Sequence, residues 1–489
     1  MLVRVVLLAS FLVICATPAV VAQDASAVLA AASKAMGTDN LNAIAFIGRA
    51  RIGAFGQSKS IGDPMGAVNV TSVTDYRRVI NFSRPDTTAA AVLRATGTGF
   101  PPRLPGTPPP PPGLFNQTIT AAQAAASWGQ ALNIWATPWG FLKAAAANTA
   151  TVSRQGSQQV VSFSPAGFTS PSGSSYTLTG YISNQNLITK VETRVDHAVA
   201  GDLLVEFEYS GYQNMNGLQV PTRVVQRQAG LVTFDASIES ATANPPTLAE
   251  LLAPPSGGAP APAALQPSAS APPVERIGDG VFKIGGNYVS LAVDMGDHIL
   301  VVESGQSDAR GMAVMAAARQ AIPNKPITFV VNSHAHFDHA SGLAAAVAEG
   351  ATILTHRNNE QVLERLLSGS RSLVGDSLSK VTNRRTDVVV GVGDRDVRKG
   401  TNGKIVELHH IPNEHSDGML AVLLPAEKVL WTADITVVNP NPIQLATLRA
   451  AVAALNRSKL DYDMWIPAHP PNPDRPITKA DVLAAAGTN

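Results

Sequence analysis

The spacing of apolar residues divides the chain into a first half rich in β-structure and a second half in which strands and helices alternate. In the first half, polar and apolar residues alternate with period two, as in Val205-Glu206-Phe207-Glu208-Tyr209, which is typical of an antiparallel sheet with one wet face. Asn216-Gly217 favours a hairpin turn. The alanine-rich residues 25–36 and 120–148 predict helices, with a break near Pro138. Strands are predicted at residues 45–52, 68–80, 160–163, 176–182, 188–195, 203–209, 218–221, 224–225 and 231–234.

From residue 274 the alternation of short β-branched runs with alanine-rich stretches predicts an α/β fold. Strands are expected at residues 280–284, 290–293, 299–302, 327–331, 353–355, 405–408, 420–423, 429–431 and 464–467. Helices are expected near residues 312–322, 344–347, 361–367, 445–456 and 479–486.

Two stretches of unusual composition mark the predicted domain boundaries. Residues 1–23 combine the lone charge of Arg4 with a short apolar core and small residues before a cut, which is typical of an export signal. The proline-, alanine- and glycine-rich residues 253–273 lack the apolar surface to order themselves and predict a linker. The predicted organisation is a signal peptide at 1–23, a β-rich α+β domain of unknown role at 24–252, a linker at 253–273 and an α/β domain at 274–489.

The composition indicates the cellular location of the protein and the class of its binding partners. Cys15, the single cysteine, lies inside the predicted signal, so the mature chain has no thiolate ligand and no disulfide. This predicts a periplasmic or secreted bacterial protein. The formal net charge is +1 and no basic run is present, so nothing favours nucleic acid, and a small molecule is the expected substrate. No stable membrane span is expected after signal removal, and the sequence does not determine the oligomeric state.

One short run concentrates candidate metal ligands directly after the predicted strand 327–331. His334, His336, Asp338 and His339 fall within six residues, where a strand opens into a loop. With 10 histidines among 489 residues, a chance run of this kind has a likelihood on the order of 10⁻⁴. Imidazole and carboxylate are good ligands for zinc-like ions, so the run predicts a cradle for two metals.

Three later residues complete the candidate set. His415, Asp434 and His469 each follow an apolar strand, where loops can converge on one edge of the sheets. With these residues in this order, the segment 274–489 resembles the metallo-β-lactamase superfamily. The resemblance implies a four-layer αβ/βα sandwich with a binuclear site between loops at one edge.

The resemblance also implies how the ligands divide between two cations, expected to be zinc, with iron or manganese as alternatives. Glu303 stands where the family often has aspartate before a glycine, and we interpret it as a structural or supporting residue. The first metal would be held by His334, His336 and His415, the second by Asp338, His339 and His469, and Asp434 would bridge them.

Hydrolysis is the chemistry that this arrangement favours. Two adjacent cations can share a water and lower its pKa, which gives hydroxide as the nucleophile. Asp338 would be the catalytic residue that orients it and passes its proton on. We therefore predict a zinc-dependent hydrolase of a carbonyl ester, a lactone or a related amide.

Other functions stay open at this point. A single iron on His334, His415 and Asp434 would suit a dioxygenase of the persulfide type. β-Lactamases with a cysteine ligand are excluded by the mature composition, and other β-lactamases usually lack an acidic residue at the bridging position, so β-lactam turnover is a minor alternative. Glyoxalase-type thioesterases carry a helical domain after the final histidine, whereas 20 residues follow His469 here.

A third alternative is a ligand-binding protein in which the metal only stabilises the fold. The first half resembles, in pattern only, the curved sheets of periplasmic lipoprotein-carrier proteins, so it is either a holder of an apolar ligand or a spacer. His356, His409 and His410 are interpreted as ordinary structural or surface histidines.

Overall fold

The computed structural model describes residues 24–67, 70–82, 89–98, 113–253 and 271–487. The predicted signal at 1–23, the proline-rich stretch 101–112 and nearly all of the predicted linker lie outside the described residues. Within the described part of the chain, no helix combines the length and the apolar character that a membrane crossing needs.

The first half forms one antiparallel sheet of 11 strands in the order β4-β3-β2-β1-β11-β10-β9-β8-β7-β6-β5. The expected break between Pro221 and Val224 is wrong, because β10 is continuous and Pro221 lies opposite Tyr212. The fixed φ of proline is compatible with an extended strand. The strands are β1 (Ala43–Ile52), β2 (Thr71–Asn81), β3 (Ala89–Thr98), β4 (Gly113–Thr120), β5 (Thr151–Gln155), β6 (Gln158–Phe163), β7 (Leu178–Ile182), β8 (Ile188–His197), β9 (Gly201–Met215), β10 (Leu218–Gln228) and β11 (Leu231–Ala243).

Helices from both ends of this half pack against the sheet. Helix α1 buries Val28, Leu29, Ala32 and Met36, whose spacing of three to four residues places them on one face. The predicted helical stretch 120–148 forms three helices, and the last begins with Pro138 at its first turn, where proline has no hydrogen bond to lose. The helices are α1 (Ala25–Met36), α2 (Ala121–Ala126), α3 (Trp128–Trp135), α4 (Pro138–Ala146) and α5 (Leu248–Leu252).

The second half contains two facing sheets. A seven-stranded sheet has the order β12-β13-β14-β15-β16-β17-β18, and a six-stranded sheet has the order β19-β20-β21-β22-β23-β24. The strands of the first sheet are β12 (Val274–Gly278), β13 (Val281–Ile284), β14 (Ser290–Asp294), β15 (Ile299–Val302), β16 (Ile327–Val331), β17 (Thr352–His356) and β18 (Val389–Val392). Those of the second sheet are β19 (Arg395–Lys399), β20 (Ile405–His410), β21 (Leu420–Leu424), β22 (Val429–Thr432), β23 (Met464–Pro467) and β24 (Ile477–Thr478).

Three apolar clusters show the layer order of this half. Val302, Val331 and Trp431 belong to a core between the two sheets. A second cluster joins the first sheet to its outer helices, and a third joins the second sheet to the last two helices. The predicted four-layer αβ/βα sandwich is thereby confirmed. Its helices are α6 (Asp308–Ala321), α7 (Phe337–Ala340), α8 (Leu343–Ala348), α9 (Arg357–Leu367), α10 (Pro442–Arg457) and α11 (Lys479–Ala486), with a 3-10 turn at Leu378–Lys380.

The two halves each have their own sheet, yet buried polar contacts join them. The fully buried guanidinium of Arg371 donates hydrogen bonds to the backbone carbonyls of Ala198 and Val199. From the other side, the carboxylate of Asp202 accepts hydrogen bonds from Ser370 and from the segment 372–373. Such contacts hold the halves in a fixed relation, because each buried group would lose its partner if they separated.

Replacing Asp202 with alanine should destabilise the protein by about 1–3 kcal/mol at neutral pH, since four donor groups lose their acceptor. Burial would raise the pKa of Asp202, but the hydrogen bonds lower it further, so the net shift is downward. Because the pKa of Asp202 is lower in the folded state, its ionised carboxylate stabilises the fold at pH values above the unfolded-state pKa near 3.9. This stabilisation is lost as the pH falls through the folded-state pKa. The difference in urea midpoint between wild type and variant should therefore narrow below about pH 4.

The matched control is Asp75→Ala, which removes an exposed pair with Arg77. We expect it to cost at most about 1 kcal/mol. Equal losses for the two variants would show that the Asp202 contacts do not stabilise the packing of the halves.

Candidate metal centre

The ends of four strands bring the candidate ligands to one edge of the sandwich. The run that begins with His334 follows β16, and Asp338 and His339 lie on the short helix α7. His415 lies in the loop between β20 and β21, and Asp434 and His469 follow β22 and β23. Because β22 and β23 are parallel, their carboxyl ends open on the same side.

Asp434 stands at the middle of the group, and each of its carboxylate oxygens faces a different pair of imidazoles. Its Oδ2 lies 3.1 Å from Nε2 of His334 and 2.8 Å from Nε2 of His415. Its Oδ1 lies 3.1 Å from Nε2 of His339 and 2.6 Å from Nε2 of His469. The structure thus brings together all seven predicted residues in two groups able to hold a cation. The first group is His334, His336, His415 and Asp434, and the second is Asp338, His339, Asp434 and His469.

The first half of the chain reaches this group through the segment after β1. The backbone carbonyl of Ser58 accepts a hydrogen bond from Nε2 of His336 at 3.1 Å. This contact assigns the proton to Nε2 and leaves Nδ1 as a lone pair. Among the described residues, Nδ1 of His336 is a buried nitrogen without a hydrogen-bond partner, and the buried Nε2 of His334, although 3.1 Å from Oδ2 of Asp434, makes no aligned hydrogen bond. Two such lone pairs beside a carboxylate fit a bound cation.

Glu303 orients the second group through a hydrogen bond with Nδ1 of His339. Its carboxylate is fully buried and accepts hydrogen bonds from Ser333 at 2.6 Å and from Nδ1 of His339 at 3.3 Å. Nε2 of His339 is thereby left to face Asp434. A carboxylate behind a histidine is a common support for a metal ligand, which agrees with the supporting role expected for Glu303.

Asp338 is fixed by two partners that the sequence did not indicate. Nε2 of Gln57 donates to Oδ1 at 2.8 Å, and the hydroxyl of Tyr288 donates to Oδ2 at 3.1 Å. Burial and the neighbouring carboxylate of Asp338 raise the pKa of Tyr288, so its hydroxyl stays protonated. Gln57 and Ser58 lie in an irregular polar segment far from the histidine run, and Tyr288 lies just before β14. None of the three carried a pattern linking it to the site.

The electrostatics of the centre favour neutral His334 and His336 beside an ionised Asp434, and a proton on His339. Burial lowers the pKa of His334 well below its ordinary value and that of His336 to about 4. Burial would raise the pKa of Asp434, but His339 and the other imidazoles lower it much more. Burial would lower the pKa of His339, but Asp434 and Glu303 raise it well above the ordinary value. A bound cation would replace the proton that His339 otherwise holds.

The family model of the metallo-beta-lactamase superfamily matches residues 285–469. This segment contains all seven candidate ligands, whereas Gln57 and Ser58 of the first half lie outside it. Residues 285–469 belong to this superfamily. The resemblance predicted from the histidine run is confirmed, and the superfamily's members are mostly metal-dependent hydrolases.

Individual relatives are distant. The alpha subunit of 2,4-dinitroanisole O-demethylase from Nocardioides sp. (strain JS1661) is 23% identical over 211 residues, which cover 42% of this chain and 58% of that subunit. The chain thus spans less than two thirds of this relative's length. Among solved structures, a metallo-beta-lactamase from Hirschia baltica covers 45% of this chain and 97% of its own, at 19% identity and a TM-score of 0.33. The sec-alkylsulfatase Pisa1 from Pseudomonas sp. covers 44% and 41%, at 16% identity and a TM-score of 0.32.

The remaining histidines of this half are engaged elsewhere. His356 caps the N-terminus of α9, where its Nδ1 accepts from the backbone of Asn358. His410 donates to the carbonyl of Asp417, and His409 lies 2.8 Å from a carboxylate oxygen of Glu407. His356 and His410 could form a third ligand group with Asp394. Asp394, however, is already paired with Arg357, whose charge opposes a cation.

Gly56 offers a test of the contact between the two halves. Its φ is +75°, and a Cβ there would lie 2.0 Å from the ring of Phe337, the residue between His336 and Asp338. Gly56→Ala should therefore displace the segment that carries Gln57 and Ser58 and weaken zinc binding by about 10–100-fold. Competition with a chelating indicator measures this affinity.

Gly62→Ala is the matched control in the same segment, because its Cβ would meet only Val362 at an ordinary 3.5 Å. We expect wild-type zinc affinity for this variant. Unchanged affinity in Gly56→Ala as well would mean that the first half does not support the centre.

Substitution of Glu303 tests the support behind His339. Glu303→Ala removes the acceptor of Nδ1 and should lower the affinity for a metal ion by about 10–100-fold. Glu303→Gln keeps an oxygen in the same place and should retain most of the affinity. Metal content after dialysis distinguishes the two variants, and equal loss in both would point to the charge of Glu303 rather than to its hydrogen bond.

Proposed function

We propose that this protein is a binuclear, zinc-dependent hydrolase of a carbonyl ester, a lactone or a related amide, with iron or manganese as alternative metals. The observation that carries the proposal is the position of Asp434, whose two oxygens each face a separate pair of imidazoles. A bridging carboxylate between two ligand groups is suited to two adjacent cations. The signal-like residues 1–23 support a periplasmic or secreted location.

The bound cations would supply Lewis-acid activation of water and of the scissile carbonyl. The chain's own residues then have two tasks. His334, His336, His339, His415 and His469 would supply the imidazole ligands, while Asp434 separates the two groups.

Asp338 is the proposed catalytic residue. Its Oδ2 lies 3.5 Å from Nε2 of His339, at the second ligand group, and its side chain is partly exposed. Burial would raise its pKa, but the neighbouring His339 lowers it further, so the carboxylate is ionised at neutral pH. With Gln57 and Tyr288 fixing its orientation, Asp338 can accept a proton from a nucleophilic water and return it to the leaving group.

Tyr288 closes one side of this region. Its ring lies 4.4 Å from that of His469 and 5.5 Å from that of His339, measured between centroids. Its protonated hydroxyl already donates to Asp338. We infer that it positions the carboxylate rather than exchanging protons itself.

One alternative function is favoured by a specific observation. His334 and His415 both face Oδ2 of Asp434, and two histidines with one carboxylate are the ligand set of mononuclear iron oxygenases. A mononuclear iron site would leave the second group, Asp338, His339 and His469, without a function. Hydrolysis is therefore the better-supported chemistry.

The test combines metal analysis with a panel of chromogenic substrates. The panel contains an ester, a lactone, a β-lactam and an aryl methyl ether, the last because a relative is named as an O-demethylase. About two zinc ions per chain with turnover of a carbonyl substrate would support the proposal. One iron with oxygen uptake would support the dioxygenase, and bound metal without any turnover would favour a purely stabilising metal.

Asp338→Asn should lower kcat for the best substrate by about 10²–10⁴-fold, the usual contribution of a general base. KM should change much less, because the residue acts on the attacking water. Asp394→Asn is the control, since this exposed carboxylate lies outside the two ligand groups. A variant of Asp338 with wild-type kcat would remove it from the mechanism.

A further inference from the structure

The first half of the chain contains a cavity of about 510 Å³ that the metal centre does not use. It lies among strands of the 11-stranded sheet and the helices α3 and α4. Its size is within the range of about 300–1,000 Å³ that small-molecule sites occupy. Aromatic rings form much of its wall, including Phe46, Tyr76, Trp139, Phe207 and Phe234.

The charges of this cavity are unbalanced. The described lining residues include Arg78 and contain no aspartate or glutamate. His197 also lines it, but burial and the charge of Arg371 lower the pKa of His197 to about 4, so it is neutral. Arg78 is therefore the formal charge of the described wall at neutral pH.

Within the described part of the chain, Arg78 retains donors for a ligand. One nitrogen of its guanidinium donates to the backbone carbonyl of Asn133. A guanidinium carries five N–H donors in a planar fork that matches a carboxylate. A half-buried cation within an aromatic wall gains most from an anion that brings apolar surface with it.

We propose that this cavity binds an apolar monocarboxylate, with the carboxylate on Arg78 and the apolar body against the aromatic wall. The site is distinct from the metal centre and goes beyond the proposed hydrolase. The two sites are nevertheless close. Phe55 and His197 line the cavity, and their rings lie 5.1 Å and 4.6 Å from that of Phe337, beside His336.

Titration of the full mature chain with a naturally fluorescent long-chain polyenoic acid tests the site. Binding should persist when a chelator has removed all metal, because the acid does not sit on the cations. Competition with a saturated fatty acid and with a naphthoic acid identifies whether the body is an acyl chain or an aryl ring. Loss of binding after chelation would overturn the proposal.

A cavity-filling variant locates the bound acid. Ala236 on β11 is buried and lines the cavity, opposite Val224 on β10. Ala236→Phe should weaken binding by at least about tenfold. Val224→Phe fills the same place if the first variant does not fold, and Ile47→Phe, at an exposed position, is the control.

Arg78→Met tests recognition of the charge. The substitution should weaken binding of the acid by at least about tenfold, which corresponds to the loss of a charge-assisted hydrogen bond. The affinity for a long-chain alcohol, measured by competition, should stay unchanged. Circular dichroism establishes that each variant is folded. Unchanged binding in the cavity-filling variants, or an equal loss for acid and alcohol in Arg78→Met, would overturn the proposal.

Discussion

The metal centre depends on one mostly buried carboxylate that sits among four imidazoles. Asp434 adopts a φ of +47°, which is unusual for a residue with a side chain, and so directs its two oxygens to opposite ligand pairs. Burial keeps His334 and His336 neutral, whereas the negative charges of Asp434 and Glu303 would otherwise draw a proton onto His339. Positive charge between the pairs would offset the negative charges of Asp434 and Glu303.

The segment from Gly53 to Ser58 contacts both the apolar cavity and the candidate metal centre. Gly53 and Phe55 line the apolar cavity, whereas Gln57 and Ser58 contact residues of the metal centre. Gly56 lies between them, with its carbonyl accepting from the backbone of Phe337 at 2.9 Å. One short stretch therefore forms part of the wall of both sites.

Local patterns in the sequence predicted what depends on local physics. The ligand run after β16 and the exact spans of α1 and α11 follow from ligand type and periodicity. The edge strands β5, β12, β18, β19 and β24 were missed, because each is at most five residues long and has exposed positions. Gln57, Ser58 and Tyr288 could not be found either, since their roles arise from packing between segments far apart in sequence. The metal-binding roles of the seven residues remain predictions that rest on this geometry.

The contact between Ser58 and His336 has a thermodynamic consequence. If the carbonyl of Ser58 raises metal affinity by fixing the tautomer of His336, a bound cation must stabilise the packing of that segment by the same free energy. The halves are also joined through Asp202 and Arg371, which contact a different part of the interface. Metal binding would thus be coupled to the docking of the first half. Stability and metal affinity would therefore be linked properties of this interface.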